Sequence, residues 1–487
     1  MKAGAGLLFI FILLCSTATA GNQFQFSNNC VSAYNAITSL RLKEGETFLA
    51  KERLANPGNT IPYLLENYID FFRVYLHNDR DLYEAFVSRA DKRINAIKSV
   101  SERSAWGKYM QAEIGIHKAF IELGFKDYTS ALWNIRRSYK LLEENIAVYP
   151  DFQPNKKSMA LLKALLGIIP SKYHWGLQLL GMDGNLHQGM NELKALCKSD
   201  YIFWKETVMV YAMLQMHLES KPQAAWQTVQ DNGLPFVNDA FSYFIAGNIA
   251  LYSKHTDKAI AYFGARPSGQ EFESFPYIDY LTGVAFLNKL DAKAEGYFLQ
   301  FLKSSKGSFI KASYQKLAWL ALAKNNQQAY WAYITKAKKE GTADTDADKD
   351  ALKEAESGQM PNINLLKARL LFDGGYYDKA QEALSAVKPQ ELSKERQLEW
   401  QYRKARIYDE SGKDSLAIVN YKATVSQGKS QPLFYAANAA LQIALIYERL
   451  GDRKSARYWF SQCLELDGYE YENSIHQKAR AGLQRVK

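Results

Sequence analysis

The sequence predicts an all-α fold, a right-handed solenoid of helix hairpins. The main observation is one spacing that occurs twice between residues 398 and 466. In each copy a small residue is followed three positions later by a large one, nine positions further by a second small residue, and four further by an aromatic residue. The copies are Ala405, Tyr408, Ala417, Tyr421 and Ala444, Tyr447, Ala456, Phe460. Composition agrees, since Pro is scarce at 12 while Tyr and Phe number 31 and 25, as expected for aromatic-on-small helix packing.

The spacing has a direct physical interpretation. Residues three or four apart lie on one face of a helix, and the gap of nine leaves room for a tight turn between two helices. Small residues let the helices approach, and large residues fill the space beside them. Gly412 and Gly451 lie in the two turns. The unit is therefore a helix hairpin, and it resembles the tetratricopeptide repeat.

Looser copies of this quartet precede the two clear ones. The first positions step by 34, 36, 35, 50, 37 and 39 residues, and periods near 34 are typical of a helical solenoid. The step of 50 predicts an insertion. The earlier copies are Met213, Met216, Ala225, Val229; Gly247, Ala250, Ala259, Phe263; Gly283, Phe286, Ala294, Phe298; Ala318, Ala321, Ala329, Tyr333; and Ala368, Leu371, Ala380, Leu384.

Residues 1–20 predict a secretory signal peptide. A short apolar run, Leu7–Cys15, is followed by the small residues that a signal peptidase requires, so cleavage is expected before Gly21. A lipoprotein is disfavoured because Leu14 stands where a small residue should precede the lipidated cysteine. The chain has no Asn-x-Ser/Thr sequon. We expect an exported protein, periplasmic or outer-membrane-associated in a bacterium, with secretion as the alternative.

An irregular helical block, residues 21–150, is expected to cap the array. Its first helical pattern runs from Cys30 to Leu54 and stops at the turn sequence Asn-Pro-Gly-Asn. Without the leader the chain keeps Cys30, Cys197 and Cys463, an odd number that gives no disulfide framework. Buried free thiols are expected, and a pair between Cys30 and one of the others stays open.

A helical connector, residues 151–200, follows. Within residues 161–196 an apolar helix ends at Pro170, a second helix ends at Leu180, and a glycine-bearing turn leads to a third helix. The layout Ile-Ile-Pro, then Leu-Leu-Gly-x-x-Gly-Asn, then Gly-Met resembles the tetratricopeptide-repeat family that includes the fungal inclusion-body clearance protein and its animal relatives. The resemblance implies a shared architecture. It does not carry over their biology, since those relatives are taken to be intracellular.

The remaining chain divides into a central repeat array (201–340), an acidic insertion (341–361) and a C-terminal array with its cap (362–487). In the insertion, aspartates alternate as in the first half of a calcium loop. Such a loop needs glycine at its sixth position and glutamate at its twelfth, where this chain has Lys349 and Ala355. We therefore expect an acidic, mobile loop. The aspartates are Asp344, Asp346, Asp348 and Asp350.

The sequence contains no local catalytic or metal-binding pattern. None of the seven histidines has another His or a Cys three or four residues away, and Gly-rich phosphate loops, Gly-x-Ser-x-Gly and paired-cysteine knuckles are missing. This predicts a protein that is not an enzyme and has no cofactor or metal. The net charge of +10 is mild, and Lys and Arg alternate with Asp and Glu. Nucleic acid is therefore not expected as a partner.

The expected function follows from the surface that the first helix of each hairpin would line. Residues one after and three before each small residue point into the groove of such a solenoid. They make its middle aromatic and give its C-terminal part an arginine ladder. The predicted partner-binding residues are Phe244, Tyr277, Tyr280, Trp319, Arg369, Tyr402 and Arg406.

The sequence thus predicts a non-catalytic scaffold that binds a partner protein or peptide in this groove. The aromatic part either takes an amphipathic helix or apolar peptide, or is core covered by the N-terminal helices. The arginines either clamp a carboxylate, such as a partner's C-terminus or acidic segment, or pair with Asp and Glu of neighbouring helices. Two other functions stay open: a solute- or glycan-binding outer-membrane-associated protein, and a self-associating structural subunit.

Overall fold

The structure, a computed structural model, describes residues 23–100, 104–169, 174–305 and 307–486. These residues form α-helices, one short 3-10 helix and no strand. The predicted all-α solenoid of tetratricopeptide-like hairpins is confirmed. The predicted leader lies outside the described residues. Within the described part of the chain, no helix combines the length and the apolar character needed to cross a membrane.

The chain packs as two compact units. Unit 1 contains the chain as far as Tyr75, residues 79–211 and the segment Ser268–Glu273. Its helices pack mainly on their neighbours in sequence. They are α1 (Asn28–Ile37), α2 (Leu42–Ala55), α3 (Ile61–His77), α4 (Arg80–Lys98), α5 (Ala105–Gly124), α6 (Tyr128–Val148), α7 (Gln153–Gly167), α8 (His174–Leu179), α9 (Leu186–Leu196) and the first part of α10 (Trp204–His217).

The predicted helical pattern from Cys30 to Leu54 is two helices. Leu40 takes a left-handed backbone with φ of 66° and separates α1 from α2. Such a conformation ends a helix because it cannot continue the right-handed hydrogen-bond ladder. Periodicity alone did not reveal this turn, since it contains no glycine or proline.

The glycines of the predicted connector serve close packing between α7 and α9. A Cβ on Gly189 would lie 2.4 Å from the carbonyl oxygen of Ala160, and one on Gly167 would lie 2.2 Å from the amide of Leu186. Only glycine permits this approach. The three-helix layout read from the sequence is confirmed, although Pro170 itself lies outside the described residues.

Unit 2 contains Leu76–Asn78, Ala212–Pro267 and Ser274–Lys487. Most of its helices form hairpins of two, and each hairpin packs on the next. The helices are α11 (Pro222–Asn232), α12 (Ala240–Tyr252), α13 (Thr256–Ala265), α14 (Tyr277–Asn288), α15 (Ala294–Ser304), α16 (Ile310–Ala323), α17 (Gln327–Lys339), α18 (Asp346–Ser357), α19 (Ile363–Asp373), α20 (Tyr377–Ser385), α21 (Lys394–Glu410), α22 (Asp414–Gly428), α23 (Tyr435–Arg449), α24 (Arg453–Leu464) and α25 (Glu472–Arg485).

The repeated quartet forms the contact inside each hairpin. A Cβ on Gly247 of α12 would lie 2.4 Å from the ring of Phe263 in α13, and Gly283 stands in the same relation to Phe298 at 2.8 Å. Both phenylalanines are fully buried. The small residue therefore makes the space that the aromatic residue four positions after the second small residue fills.

Two predictions for unit 2 were wrong. The acidic insertion is not a loop, since residues 346–357 form α18. The degenerate quartet is also out of register in α17, where the buried residues are Tyr330 and Ile334 rather than Ala329 and Tyr333. The two errors are related, because the Tyr330 hydroxyl donates to Glu354 of α18, a partner that the ordinary hairpin lacks.

Candidate functional site

The first helices of successive hairpins in unit 2 lie side by side, α14 against α16, α16 against α19, and α19 against α21. We call the surface formed by α16, α19 and α21 the first-helix face. It carries four residues predicted from the sequence, namely Trp319, Arg369, Tyr402 and Arg406. The other three, Phe244, Tyr277 and Tyr280, lie in α12 and α14.

The aromatic members of the predicted site are mostly core residues. Phe244, Tyr280, Trp319 and Tyr402 are buried, with exposures from 1% to 6%, and Tyr277 is half-buried. Rings of the same unit pack on them; the centre of the Tyr280 ring lies 5.9 Å from that of Phe298 and 4.9 Å from that of Phe309. In this conformation the buried rings offer a partner no aromatic surface, and a binding role for them stays a prediction.

The arginines of the first-helix face keep accessible surface. The side chain of Arg369 is 45% exposed, and its guanidinium carbon lies 4.9 Å from the centre of the Trp319 ring. Its ion pair with Asp373, four residues further along α19, is long at 3.8 Å. An exposed pair at this distance contributes little to stability. Arg369 is therefore held mainly by stacking, which leaves its donors available.

Arg406 and Arg403 continue this row on α21. Arg406 contacts Glu410 at 3.5 Å, and among the described residues its Nε finds no hydrogen-bond acceptor although it is buried. Arg403 donates from its Nε to Glu399 at 2.8 Å. The ion-pair partners Glu399 and Glu410 each lie four residues from their arginine on the same helix. The alternative considered from the sequence was that the arginines pair with Asp and Glu of neighbouring helices.

Lys316 adds a cation that the sequence did not single out. Its Nζ lies 3.6 Å from the centre of the Trp319 ring and donates to the side-chain oxygen of Gln315 at 2.9 Å. Burial, and next the positive charge of Arg369, lower the pKa of Lys316 to about 7, while Glu354 opposes this shift. The ammonium is thus only partly charged at neutral pH, because it is buried and, among the described residues, forms no ion pair.

A carboxylate already lies on this face. Glu354 of α18 accepts hydrogen bonds from Gln315 at 2.6 Å, from the indole nitrogen of Trp319 at 3.0 Å and from the Tyr330 hydroxyl at 3.1 Å. Gln315 and Trp319 stand three before and one after the small residue Ala318, the positions that the hairpin pattern assigns to the groove. The first-helix face therefore receives a carboxylate at its predicted lining positions.

A small cavity lies beside this contact. Its volume is about 50 Å³, enough for water or the end of one side chain. Its walls combine two arginines and two carboxylates with apolar surface. The lining residues are Trp319, Glu354, Pro361, Asn362, Leu365, Leu366, Arg369, Glu399 and Arg403.

A larger concavity, of about 570 Å³, lies along α24 at the end of unit 2. Its basic residues are Arg453, Lys454 and Arg457, and Arg457 donates to the backbone oxygen of Val486 at 2.8 Å. Part of its positive charge is thus used to hold the carboxyl end of α25.

Unit 1 contains a buried ionic network that sequence reasoning missed. The Lys157 ammonium donates to Glu113 and to Glu206, both at 2.6 Å. The hydroxyls of Tyr34 and Tyr68 donate to the other oxygen of Glu206 at 3.1 and 2.8 Å. These groups come from five helices, α1, α3, α5, α7 and α10, so no local spacing could have revealed them.

The electrostatics of the network support a structural role. Burial alone would raise the pKa of Glu113, but the Lys157 ammonium, His117 and hydrogen bonds outweigh it and lower that pKa. Burial lowers the pKa of His117, although Glu113 and Glu206 oppose this shift. Both carboxylates accept hydrogen bonds from several donors. The network thus ties five helices of unit 1 together.

Cys30, Cys197 and Cys463 are free and buried, as expected. Burial raises the pKa of the Cys197 and Cys463 thiols to about 12. Burial also raises the pKa of Cys30. Thiols in this state are unreactive, so the cysteines serve as small core residues.

Comparison with known proteins gives a likeness of form alone. No family model and no curated protein matches the chain. Among solved structures, the human IFIT1 dimer with PPP-AAAA aligns over 91% of this chain and 96% of its own at 11% identity, with a TM-score of 0.36. Yeast Tom70 aligns over 94% of this chain and 88% of its own at 12% identity, with a TM-score of 0.25. Such low scores support no argument about function. The resemblance of residues 161–196 to the inclusion-body clearance family stays a prediction.

The expectation that excluded nucleic acid was wrong. IFIT1 in these structures is bound to the oligonucleotides PPP-AAAA and m7Gppp-AAAA.

Proposed function

We propose that this protein is a non-catalytic binding scaffold whose first-helix face holds an acidic segment of a partner protein. One observation carries the proposal. The Glu354 carboxylate accepts hydrogen bonds from the groove residues Gln315 and Trp319, beside the cations Lys316 and Arg369. Arginine stacked on an aromatic ring keeps its planar donor edge free for a carboxylate.

The charge pattern of the face favours separated carboxylates over a continuous phosphate backbone. Asp373, Glu399 and Glu410 each lie one helical turn from an arginine of the row and pair with it. A polyanion that follows the row would approach these carboxylates and be repelled by them. A peptide can place its acidic side chains at the cations alone. A protein segment therefore fits the face better than nucleic acid, which remains a competing outcome of the test.

Export is part of the proposal. The apolar run Leu7–Cys15 and the small residues before Gly21 support a cleaved leader. We infer a periplasmic or outer-membrane-associated protein. Intact-mass measurement of the protein isolated from its own cells tests this: a chain that begins at Gly21 supports export, and a chain that retains residues 1–20 contradicts it.

The binding proposal is tested by reversing the charge of the row. The double variant Arg369→Glu with Arg406→Glu is compared with the wild type for binding of a labelled peptide of alternating Glu and Ala and of a labelled oligoadenylate. We expect the variant to lose peptide binding while its melting temperature stays within a few degrees of wild type. Loss of oligoadenylate binding instead would identify a nucleic-acid site.

A matched control removes the same charge elsewhere in unit 2. Lys388→Glu with Arg480→Glu changes two exposed cations outside the first-helix face. This control should bind the peptide like wild type. Equal loss of binding in both double variants would mean that binding depends only on the net charge of the protein, and would contradict the proposed site. A large drop in stability of the first variant would identify its arginines as structural.

A further inference from the structure

We propose that α18 is an internal ligand of the first-helix face, and that an acidic helix of the partner binds by taking the place of its C-terminal half. This inference rests on the proposed function and adds its regulation. Three features of α18 support it: the hydrogen bonds of Glu354 to the face, the weak surface contacts of its C-terminal half, and the difference between its two ends.

The seated side of α18 has the chemistry expected of a ligand. Glu354 supplies the carboxylate that Gln315, Trp319 and Tyr330 bind. Ala351 and Ala355 are the buried apolar residues of the helix. Residues 351, 354 and 355 share one helical face. The face thus accepts an acidic helix that presents small residues around one carboxylate.

The remaining contacts of this half of the helix are weak. Lys353 pairs with Glu470, but both side chains are largely exposed, so the pair contributes little. Asp350 accepts a hydrogen bond from the Tyr471 hydroxyl at 3.0 Å, also at the surface. Of the apolar side chains in this half, Ala351 and Ala355 bury only one methyl group each, and Leu352 is half-buried. The Glu354 contacts are therefore the main attachment.

The two ends of α18 differ in a way that permits partial release. At the N-terminal end Asp348 accepts hydrogen bonds from the amides of Phe309 at 2.7 Å and Ala312 at 3.0 Å, which caps α16. At the other end Gly358 has a left-handed φ of 63°, and no atom lies within 4 Å of the place where its Cβ would be. Beyond the helix, Arg396 donates to the backbone oxygen of Met360 at 2.6 Å, so Asp348 and Met360 can stay as anchors while the segment between them moves.

Because α18 belongs to the same chain as the first-helix face, it competes effectively with an external ligand. An attached ligand acts at a high effective concentration, which reduces the apparent affinity of an external one by the fraction of time that the site is open. Removing the charge of Glu354 should raise that fraction. Binding of an external acidic helix then becomes tighter although no residue of the face itself has changed.

The test uses a labelled peptide with the sequence of residues 344–358 as the probe and the full-length chain as the receptor. We expect Glu354→Gln to bind the probe at least about tenfold more tightly than wild type. Glu356→Gln is the matched control, because Glu356 lies two residues away on the exposed side of α18. It should bind like wild type. Equal affinity of all three proteins would overturn the inference.

A second measurement needs no variant. Hydrogen exchange of the amides of residues 350–358 in the wild-type chain should accelerate when the probe is added at saturating concentration, while α16 remains protected. Unchanged protection of these amides with bound probe would mean that the peptide binds elsewhere, and would also overturn the inference.

The two proposals fail separately. In one outcome, the Glu-Ala peptide binds wild type but not the variant Arg369→Glu with Arg406→Glu, and Glu354→Gln binds the 344–358 probe with wild-type affinity. Then α18 is a permanent part of the fold, and only this inference is wrong. If the arginine variant retains full binding, the proposed function itself is wrong.

Discussion

Lys157 is the residue whose environment departs most from that of an ordinary surface lysine. Its side chain is 2% exposed and its ammonium lies between Glu113 and Glu206. Burial alone would lower the pKa of Lys157, but the carboxylates of Glu113 and Glu206 and the nearby phenols raise it well above the usual value. The charge is thus fully retained inside unit 1.

Replacing Lys157 by methionine should destabilise the protein strongly, because it leaves two carboxylates without their cation. The expected loss is about 3–5 kcal/mol of unfolding free energy, measured by urea denaturation. Lys156→Met is the control, since Lys156 is exposed and adjacent in sequence. Adding Glu113→Gln to Lys157→Met should recover part of the loss. Equal stability of the Lys157 and Lys156 variants would contradict the network.

Lys316 makes a pH-dependent contribution to the proposed binding site. Its pKa of about 7 reflects burial and then Arg369, opposed by Glu354, Asp373 and Asp350. An incoming carboxylate favours the charged ammonium, so binding takes up a proton near neutrality. Because the charged form is lost as pH rises through 7, the affinity for the Glu-Ala peptide should fall between about pH 6 and pH 8.

Fluorescence titrations across this pH range check the prediction. Lys316→Gln should flatten the profile and bind at every pH as weakly as wild type at high pH. A wild-type affinity that does not change between pH 6 and pH 8, or a profile that Lys316→Gln leaves intact, would contradict the assignment.

At the scale of the elements, the hairpin contact depends on the missing side chain of Gly247. An added Cβ would meet the Phe263 ring at 2.4 Å in a fully buried position. Gly247→Ala should therefore destabilise the protein by about 1–3 kcal/mol through overpacking. Gly264→Ala, in the partner helix with open space around its Cβ, should be neutral or slightly stabilising. Thermal unfolding of both variants measures the difference, and equal melting temperatures would contradict the packing account.

Whether an element could be predicted depended on whether its cause is local. The quartet, the turn glycines and the glycines near Gly189 are local signals, and from them the all-α array of hairpins could be predicted, although the quartet was out of register in α17. The insertion was mistaken for a loop because its acidic composition says nothing of Asp348 and Glu354, whose partners Ala312 and Trp319 are far away in sequence. The turn at Leu40 was missed because an ordinary residue adopts the left-handed conformation there.

At the scale of the whole molecule, the sequence period of the repeats predicted the fold but not the binding site. A repeat of small and large residues specifies which faces pack, so an all-α hairpin array could be predicted over most of the chain. The same rule marked Trp319 and Arg369 as groove residues. It could not tell exposed from covered positions, since Phe244 and Tyr280 are covered by rings that the period does not register. The ionic network in unit 1 was out of reach for the same reason.

The central claim is that the first-helix face binds an acidic protein segment, and crosslinking inside the cell tests it most directly. A photoreactive residue at position 361, beside Arg369 and Trp319, is activated and the attached peptide is sequenced. We expect the attached peptide to be an acidic segment of another protein, and this product to be lost when Arg369 and Arg406 are changed to Glu. A product that persists in this double variant, an attached nucleic acid, or attachment to residues 346–357 of the same chain alone would contradict it.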